Sequence, residues 1–491
     1  MSINIKTFVK GILISLAGTG VLGVLNYFVR RELALTISIT DFGFIYAVLS
    51  LCSIFLAYLD VGIGSSATIL MSKSIASCDK EKTNKYYIQV FLLKIILSIL
   101  VVLILASTYK FWVFDFFKYN SSNPFFIFLL LIIVQAASSA PGAIITALKK
   151  YITSNISTVL VPATILTIIF FNFKNNISIY AFAFPLGSLI MMIFLYISSY
   201  KCGYYPKAGS FKKIFQLGEL FHLSKWIAIA TLGLTTMYYM DSLMLTWLDG
   251  LRAVGLYNVA LPIMQIAQSL MVFSGVFLPI VAGMWVKDEK EEIGSICSML
   301  TELTIYALWP IAFSIIILAK YIIIFLFSAK FTEAAPALII LFIGNIFFSL
   351  ANFYMGVLTA GKHAKRVASV ILIGTSINIV LNYLLIPYMS INGAATSTAL
   401  SYVFLTVCLY ISLKRELPSF KISIKPILFP SIFGIILIII STYFIFKSNP
   451  DNLKETVILF IIANLIYIAF TYKILKRYIK TGLSYIRVEK T

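Results

Sequence analysis

Residues 124–149 read PFFIFLLLIIVQAASSAPGAIITALK, and no charge interrupts them before Lys149. At about 1.5 Å of rise per residue, an α-helix over this stretch crosses a hydrocarbon core of roughly 30 Å. Lipid offers backbone amides no partners, so an apolar run of this length satisfies its own N–H and C=O groups as a helix.

The rest of the chain has the same character. Of its 491 residues, 60% are hydrophobic and 12% charged, a balance that no soluble globular domain approaches. Apolar segments cover the whole length and leave no space for a soluble catalytic domain between or after them. We place fourteen spans, at 11–29, 42–59, 86–107, 124–148, 156–173, 177–200, 226–248, 257–286, 298–319, 334–360, 367–388, 391–413, 426–446 and 456–472. The predicted fold is therefore all-α and integral to the membrane. The first run follows Lys6 and Lys10, lacks a small-x-small cleavage site and precedes Arg30 and Arg31, so we read it as a retained span.

Loop charge tests the count. Fourteen spans place both termini on one side, and that side holds 28 of the 39 Lys and Arg, against 10 on the other and Lys94 within a span. Basic loops stay in the cytoplasm, so both termini are expected there. The net charge of +20 then reflects topology and anionic headgroups, and nucleic acid is excluded as a partner. Cys52, Cys78, Cys202, Cys297 and Cys408 lie far apart with no C-x-x-C pair, which indicates neither a disulfide framework nor a zinc site.

The 124–149 run ends in Thr146-Ala147-Leu148-Lys149, and Thr359-Ala360-Gly361-Lys362 repeats that ending 213 residues later. Phe42-Gly43-Phe44 returns as Val254-Gly255-Leu256 at an offset of 212, and Leu195-Tyr196-Ile197-Ser198 as Leu409-Tyr410-Ile411-Ser412 at 214. Three ordered anchors at a near-constant offset indicate a duplicated six-span unit. Units of even span number share one orientation, so a pseudo-two-fold axis along the membrane normal should relate two lobes facing a central cavity. The expected organisation is a first lobe at 1–200, a cytoplasmic linker at 201–222, a second lobe at 223–414, and two further spans with a basic tail at 415–491. In the linker Phe211, Ile214, Phe215 and Phe221 fall at helical spacing among lysines, the pattern of a surface-lying amphipathic helix.

Several phrases in this frame resemble the polysaccharide exporter and O-antigen flippase branch of the multidrug/oligosaccharidyl-lipid/polysaccharide (MOP) transporter superfamily. They are Phe42-Gly43 with Leu59-Asp60-Val61-Gly62, Asp241 followed by Val254-Gly255-Leu256-Tyr257, and Leu381-Asn382-Tyr383-Leu384-Leu385-Ile386-Pro387 followed by Gly393-Ala394-Ala395. The resemblance covers nearly the whole chain. It implies a flippase that moves undecaprenyl-diphosphate-linked repeat units from the cytoplasmic to the periplasmic leaflet by alternating access, in lipopolysaccharide or other surface polysaccharide biosynthesis. Its expected partners are the lipid-linked oligosaccharide, the bilayer, a polysaccharide polymerase and a chain-length regulator.

Ionisable groups at membrane depth are the informative residues, because a charge there is costly and usually faces a protein cavity. Asp60 and Lys94 belong to the first lobe, Asp241 and Glu302 to the second. One lobe would hold a cation for diphosphate while the other handles a coupling proton or sodium, the only cofactor expected. Lys94 serves the substrate or snorkels to the inner interface; Asp60 faces the cavity or caps the helix after Gly62 and Gly64; Glu302 lies in the membrane or at its cytoplasmic edge. Arg30 and Arg31 break the inside bias, and either grip diphosphate, which their forked donors suit, or are tied down by Glu32 and Asp41. Lys149 meets an incoming headgroup or simply follows topology. Asn26, Asn378 and Asn382 line the cavity or bond between helices, and prolines 141, 162, 185, 262, 279 and 310 permit bends within spans.

Enzymatic chemistry finds no candidates. Gly356 to Lys362 nearly spells a phosphate-binding loop, but His363 stands where Ser or Thr should hold magnesium. His222 and His363 are the only histidines and lie near no cysteine pair, so no metal is expected; no G-x-S-x-G elbow occurs. Two rival functions remain. A cation-coupled multidrug antiporter of the same superfamily should stop at twelve spans with an acidic cavity. A membrane-embedded polymerase or acyltransferase should carry large outer loops with Arg or His.

Overall fold

The computed structural model describes residues 5–60, 62–171, 176–205, 225–269 and 281–423, with short pieces between 428 and 476. The amphipathic stretch expected in the linker, His222, Pro279 and most of the last two spans lie outside the described residues. Every regular element among those described is helical: α1 (Ile5–Thr36), α2 (Ile39–Asp60), α3 (Ile63–Ala76), α4 (Lys80–Ser107), α5 (Asn123–Ala147), α6 (Tyr151–Phe170), α7 (Ile177–Lys201), α8 (Lys225–Leu248), α9 (Leu251–Ser269), α10 (Lys290–Leu326), α11 (Ala335–Ala360) and α12 (Ala364–Glu416), with short π and 3-10 turns. Eight of the described helices are long and apolar enough to cross a membrane.

α12 has 53 residues, about 80 Å of helix and more than twice the hydrocarbon core. It contains both the 367–388 and the 391–413 spans. Ser390, at φ 51° and ψ −131°, breaks the helix between them. A Cβ on Gly393 would lie 2.5 Å from the Leu385 carbonyl, whereas positions eight apart in a straight helix are about 12 Å apart. The chain therefore turns back on itself, and any side chain at Gly393 would collide with the preceding arm. α10 outruns the predicted 298–319 span at both ends, with 37 residues.

Contacts divide the chain into two compact units, residues 1–262 with 371–394, and residues 263–370 with 395–491. In the first, Ile63, Met71, Tyr87, Ile144 and Leu195 bring α3, α4, α5 and α7 into one buried core. Close approach at one crossing in this unit depends on two glycines. A Cβ on Gly43 would stand 1.9 Å from the Leu251 carbonyl, and one on Gly255 would stand 2.3 Å from the Ile39 carbonyl. Gly43 and Gly255 are equivalent at the 212-residue offset, and so are Ile39 and Leu251. Such reciprocal contact is what a two-fold relation requires.

In the second unit the connector after α12 lies along α10. Leu417 and Phe420 are fully buried, and the Ser419 hydroxyl donates to the carbonyls of Lys290 and Glu291 at 3.3 and 3.2 Å. At the end of α12, Glu416 accepts from Arg366 at 2.8 Å and stands 3.5 Å from His363. Both repeats end a helix the same way: Lys149 (φ 58°) and Lys362 (φ 66°) adopt the left-handed conformation and donate their N–H to Thr146 and Thr359 at 2.9 and 3.1 Å. This is the turn that absorbs orphan carbonyls at a helix C-terminus.

Candidate functional site

Asp241 sits in α8 at 2% exposure. Neutral donors surround its carboxylate. The Tyr257 hydroxyl of α9 donates to Oδ2 at 2.7 Å, and Asn382 Nδ2 of α12 donates to Oδ1 at 2.7 Å. Asn378 Nδ2 approaches the same oxygen at 3.4 Å, and Asn382 Nδ2 also reaches Asn378 Oδ1 at 3.3 Å. The four-residue spacing of the two asparagines puts both amides on one helix face, so the interhelical bonds and the polar cluster are the same contacts. Asn382 Oδ1 is left buried with no hydrogen-bond partner, an acceptor that costs stability as long as nothing donates to it or coordinates it.

The network continues to α1. Asn258, next to Tyr257, donates its amide to the Ser242 hydroxyl at 3.2 Å and to the Val254 carbonyl at 3.0 Å. Its own carbonyl accepts from Arg30 Nη1 at 3.2 Å. The Arg30 guanidinium also lies 4.7 Å from the centre of the Tyr46 ring, a cation–π contact, with the Tyr238 hydroxyl beside it. All these residues belong to the first compact unit.

The remaining candidates separate by their partners. Arg31 pairs with Glu32, whereas Asp41 accepts from the Ser38 and Tyr119 hydroxyls at 2.7 Å each and ties down neither arginine. Burial and the adjacent Asp41 carboxylate push the Tyr119 phenol above its usual value, which keeps it a donor. Lys94, buried in α4, pairs with Asp60 at the end of α2, and the same carboxylate oxygen accepts the Gly64 N–H at 3.2 Å. Asp60 is thus helix cap and counter-ion together. Glu302 accepts the Ser423 N–H at 3.0 Å and so holds the connector to α10. Lys149 is exposed at its helix end and Asn26 is exposed on α1; neither meets the Asp241 network. Among the described residues, then, Arg31 and Lys94 are neutralised by neighbouring carboxylates, and Arg30 pairs with none.

Sequence reasoning singled out Arg30, Asp241, Asn378 and Asn382 and missed Ser242, Tyr238, Tyr257, Asn258 and Tyr46. Tyr257 entered only as part of a phrase that carries the family resemblance; nothing in linear sequence aims its hydroxyl at a residue sixteen positions earlier.

A family model described as polysaccharide biosynthesis protein matches residues 8–285, from α1 through the whole of α9. The chain belongs to that family. Two similar proteins come from archaea: an uncharacterised membrane protein of Methanocaldococcus jannaschii is 25% identical over 420 residues, 81% of this chain and 82% of that one. A probable low-salt glycan biosynthesis flippase of Haloferax volcanii is 29% identical over 191 residues, 38% of this chain and 40% of that protein. Among solved structures, the lipid II flippase MurJ in an inward closed conformation is similar with a TM-score of 0.76 at 18% identity, over 94% of this chain and 99% of the other. A multidrug resistance MATE transporter of the MOP superfamily, facing inward, reaches 0.65 at 9% identity, over 83% and 98%. This polysaccharide biosynthesis family member is a multi-pass membrane protein with the MOP transporter fold.

Proposed function

We propose that the protein is a flippase for undecaprenyl-diphosphate-linked oligosaccharide, an O-antigen or other surface polysaccharide unit, which it moves from the cytoplasmic to the periplasmic leaflet of the inner membrane by alternating access. Both termini then lie in the cytoplasm, and a polymerase and chain-length regulator work downstream. Family membership and the likeness to a lipid II flippase support the cargo class. The observation that carries the reading to residues is Arg30, whose positive charge is held by a backbone carbonyl and an aromatic ring and so stays available to a diphosphate, as a forked donor suits. Asp241 is the coupling group, with proton or sodium as the ion. Its carboxylate is buried among phenol and amide groups, where a change of charge is expensive enough to drive a conformational step. The chain acts as a transporter and not as an enzyme.

Reconstitution into liposomes with a fluorescent lipid-linked oligosaccharide tests this. The protein should speed leaflet exchange, and Arg30→Gln should remove most of the acceleration; exchange no faster than in protein-free liposomes would refute the proposal. The fold likeness to a MATE transporter supports a second reading, a cation-coupled multidrug antiporter. Efflux of a cationic dye, without lipid movement, would select it.

A further inference from the structure

The Asn258 carbonyl lies in the interior of α9, where it would ordinarily accept the N–H of the residue four positions on. That residue is Pro262, inside the same helix, and proline has no N–H to give. The orphan carbonyl is satisfied instead from another helix, by Arg30 Nη1 at 3.2 Å. One residue earlier, the Tyr257 hydroxyl is fixed on Asp241 at 2.7 Å. The Asn258 side chain holds Ser242, the neighbour of Asp241, at 3.2 Å. Two adjacent pairs, Asp241-Ser242 and Tyr257-Asn258, therefore face each other, and the second also holds the arginine.

We propose that Pro262 and Asn258 are positioning residues that park Arg30 on a vacated helix carbonyl, and that Tyr257 links release of the arginine to occupancy of Asp241 by a cation. The proposal rests on the flippase reading and deepens it. With Asp241 charged, Tyr257 stays on the carboxylate, the Tyr257-Asn258 peptide keeps its position, and Arg30 remains on the carbonyl. A proton or sodium on Asp241 neutralises the carboxylate and competes with the phenol for the same oxygens. The peptide relaxes, and the guanidinium turns to a diphosphate anion. Cation and diphosphate then bind with positive cooperativity, and by linkage each raises the affinity of the other equally.

Calorimetric titration of the purified full-length protein in lipid nanodiscs, with inorganic pyrophosphate as probe, tests the device. One arm adds sodium at constant alkaline pH, and the other lowers the pH without sodium; the arm that tightens binding identifies the ion. In the wild type the cation should tighten pyrophosphate binding by about 5- to 150-fold, the usual range of such coupling. Pro262→Ala returns an N–H to the Asn258 carbonyl and leaves Asp241 untouched. It should bind pyrophosphate without cation about as tightly as the saturated wild type, with the cation effect reduced to about twofold or less. Tyr257→Phe should lose the cation effect in the same way. A purely electrostatic attraction between the bound cation and pyrophosphate would survive in Pro262→Ala, and an undiminished effect there overturns the proposal. Pyrophosphate binding with no cation effect in the wild type also overturns it and leaves the flippase reading standing. Absence of both pyrophosphate binding and lipid exchange would refute the two together.

Discussion

At the 212–213 residue offset of the internal repeat, the four residues of the carboxylate cluster have equivalents in the first half of the chain. Asp241 corresponds to Val29, Tyr257 to Ile45, Asn378 to Ile165 and Asn382 to Ile169. All four counterparts are apolar and buried. One position on, the relation inverts: Arg30 corresponds to Ser242, and Tyr46, whose ring lies under Arg30, corresponds to Asn258. Two copies of one helical framework have thus taken opposite tasks. The second keeps a buried acid with neutral donors, the first a cation on an aromatic ring, and the two meet where Arg30 reaches the Asn258 carbonyl. A duplicated scaffold supplies two matching places, and it suffices to charge each of them once, with opposite sign.

The largest way to break this asymmetry is to make the second copy like the first. Asp241→Leu removes the carboxylate and strands the Tyr257 hydroxyl and two amides, each costing about 1–3 kcal/mol when buried without a partner. Lipid exchange in liposomes should fall to the protein-free rate, and the melting temperature in detergent should drop. Asp241→Asn, which keeps the donors partnered, should lose ion dependence while staying folded. A transporter that kept its ion-dependent rate after either change would show that coupling lies elsewhere.

The opposite experiment gives the first copy the polar face of the second. Ile165→Asn with Ile169→Asn places two amides on α6 at positions only 3% and 6% exposed, with no carboxylate at the Val29 position to receive them. Each stranded amide should cost about 1–3 kcal/mol, read as a lower melting temperature with the same ion dependence of transport. Full stability would mean that the first copy already holds polar partners for them.

Much of this asymmetry is visible before any coordinates. Apolar runs of spanning length, the sign of loop charge and the recurrence of Thr-Ala-x-Lys are local or periodic features and survive in a linear string. Asp241 stands out because a charge inside an apolar run has few explanations, and Asn378 and Asn382 because their spacing falls on one helix face. The unseen partners are set by helix crossings. Tyr257 meets Asp241, and Arg30 finds the Asn258 carbonyl, only because α8, α9, α12 and α1 converge. A backbone acceptor leaves no mark on its own residue; its only sequence trace is Pro262, four positions along. The sharp turn at Ser390 was legible as a gap between spans, but the strained residue itself was not.

Where the two copies remain alike, the effects should be equal. Gly43→Ala and Gly255→Ala each drive a methyl into the opposing carbonyl of Leu251 or Ile39, at 1.9 and 2.3 Å. Backbone cannot step aside as a side-chain tip does, so each should cost about 1–3 kcal/mol, and the shift in melting temperature should be similar for both. A loss at one glycine alone would mean that the two-fold relation at this crossing is only approximate.

The smallest effects belong to the helix ends. Lys149 and Lys362 occupy left-handed turns in which a side chain costs about 1–2 kcal/mol relative to the right-handed form and glycine costs almost nothing. Lys149→Gly and Lys362→Gly should each stabilise the fold slightly, by about 1 kcal/mol or less and read as a small rise in melting temperature, because part of that gain is lost to the freer unfolded chain. The charge, however, separates the two copies in function. If Lys149 greets the incoming headgroup, Lys149→Gly should slow lipid exchange at low ionic strength and Lys362→Gly should not; if both lysines only follow topology, exchange should be unchanged in both while stability rises.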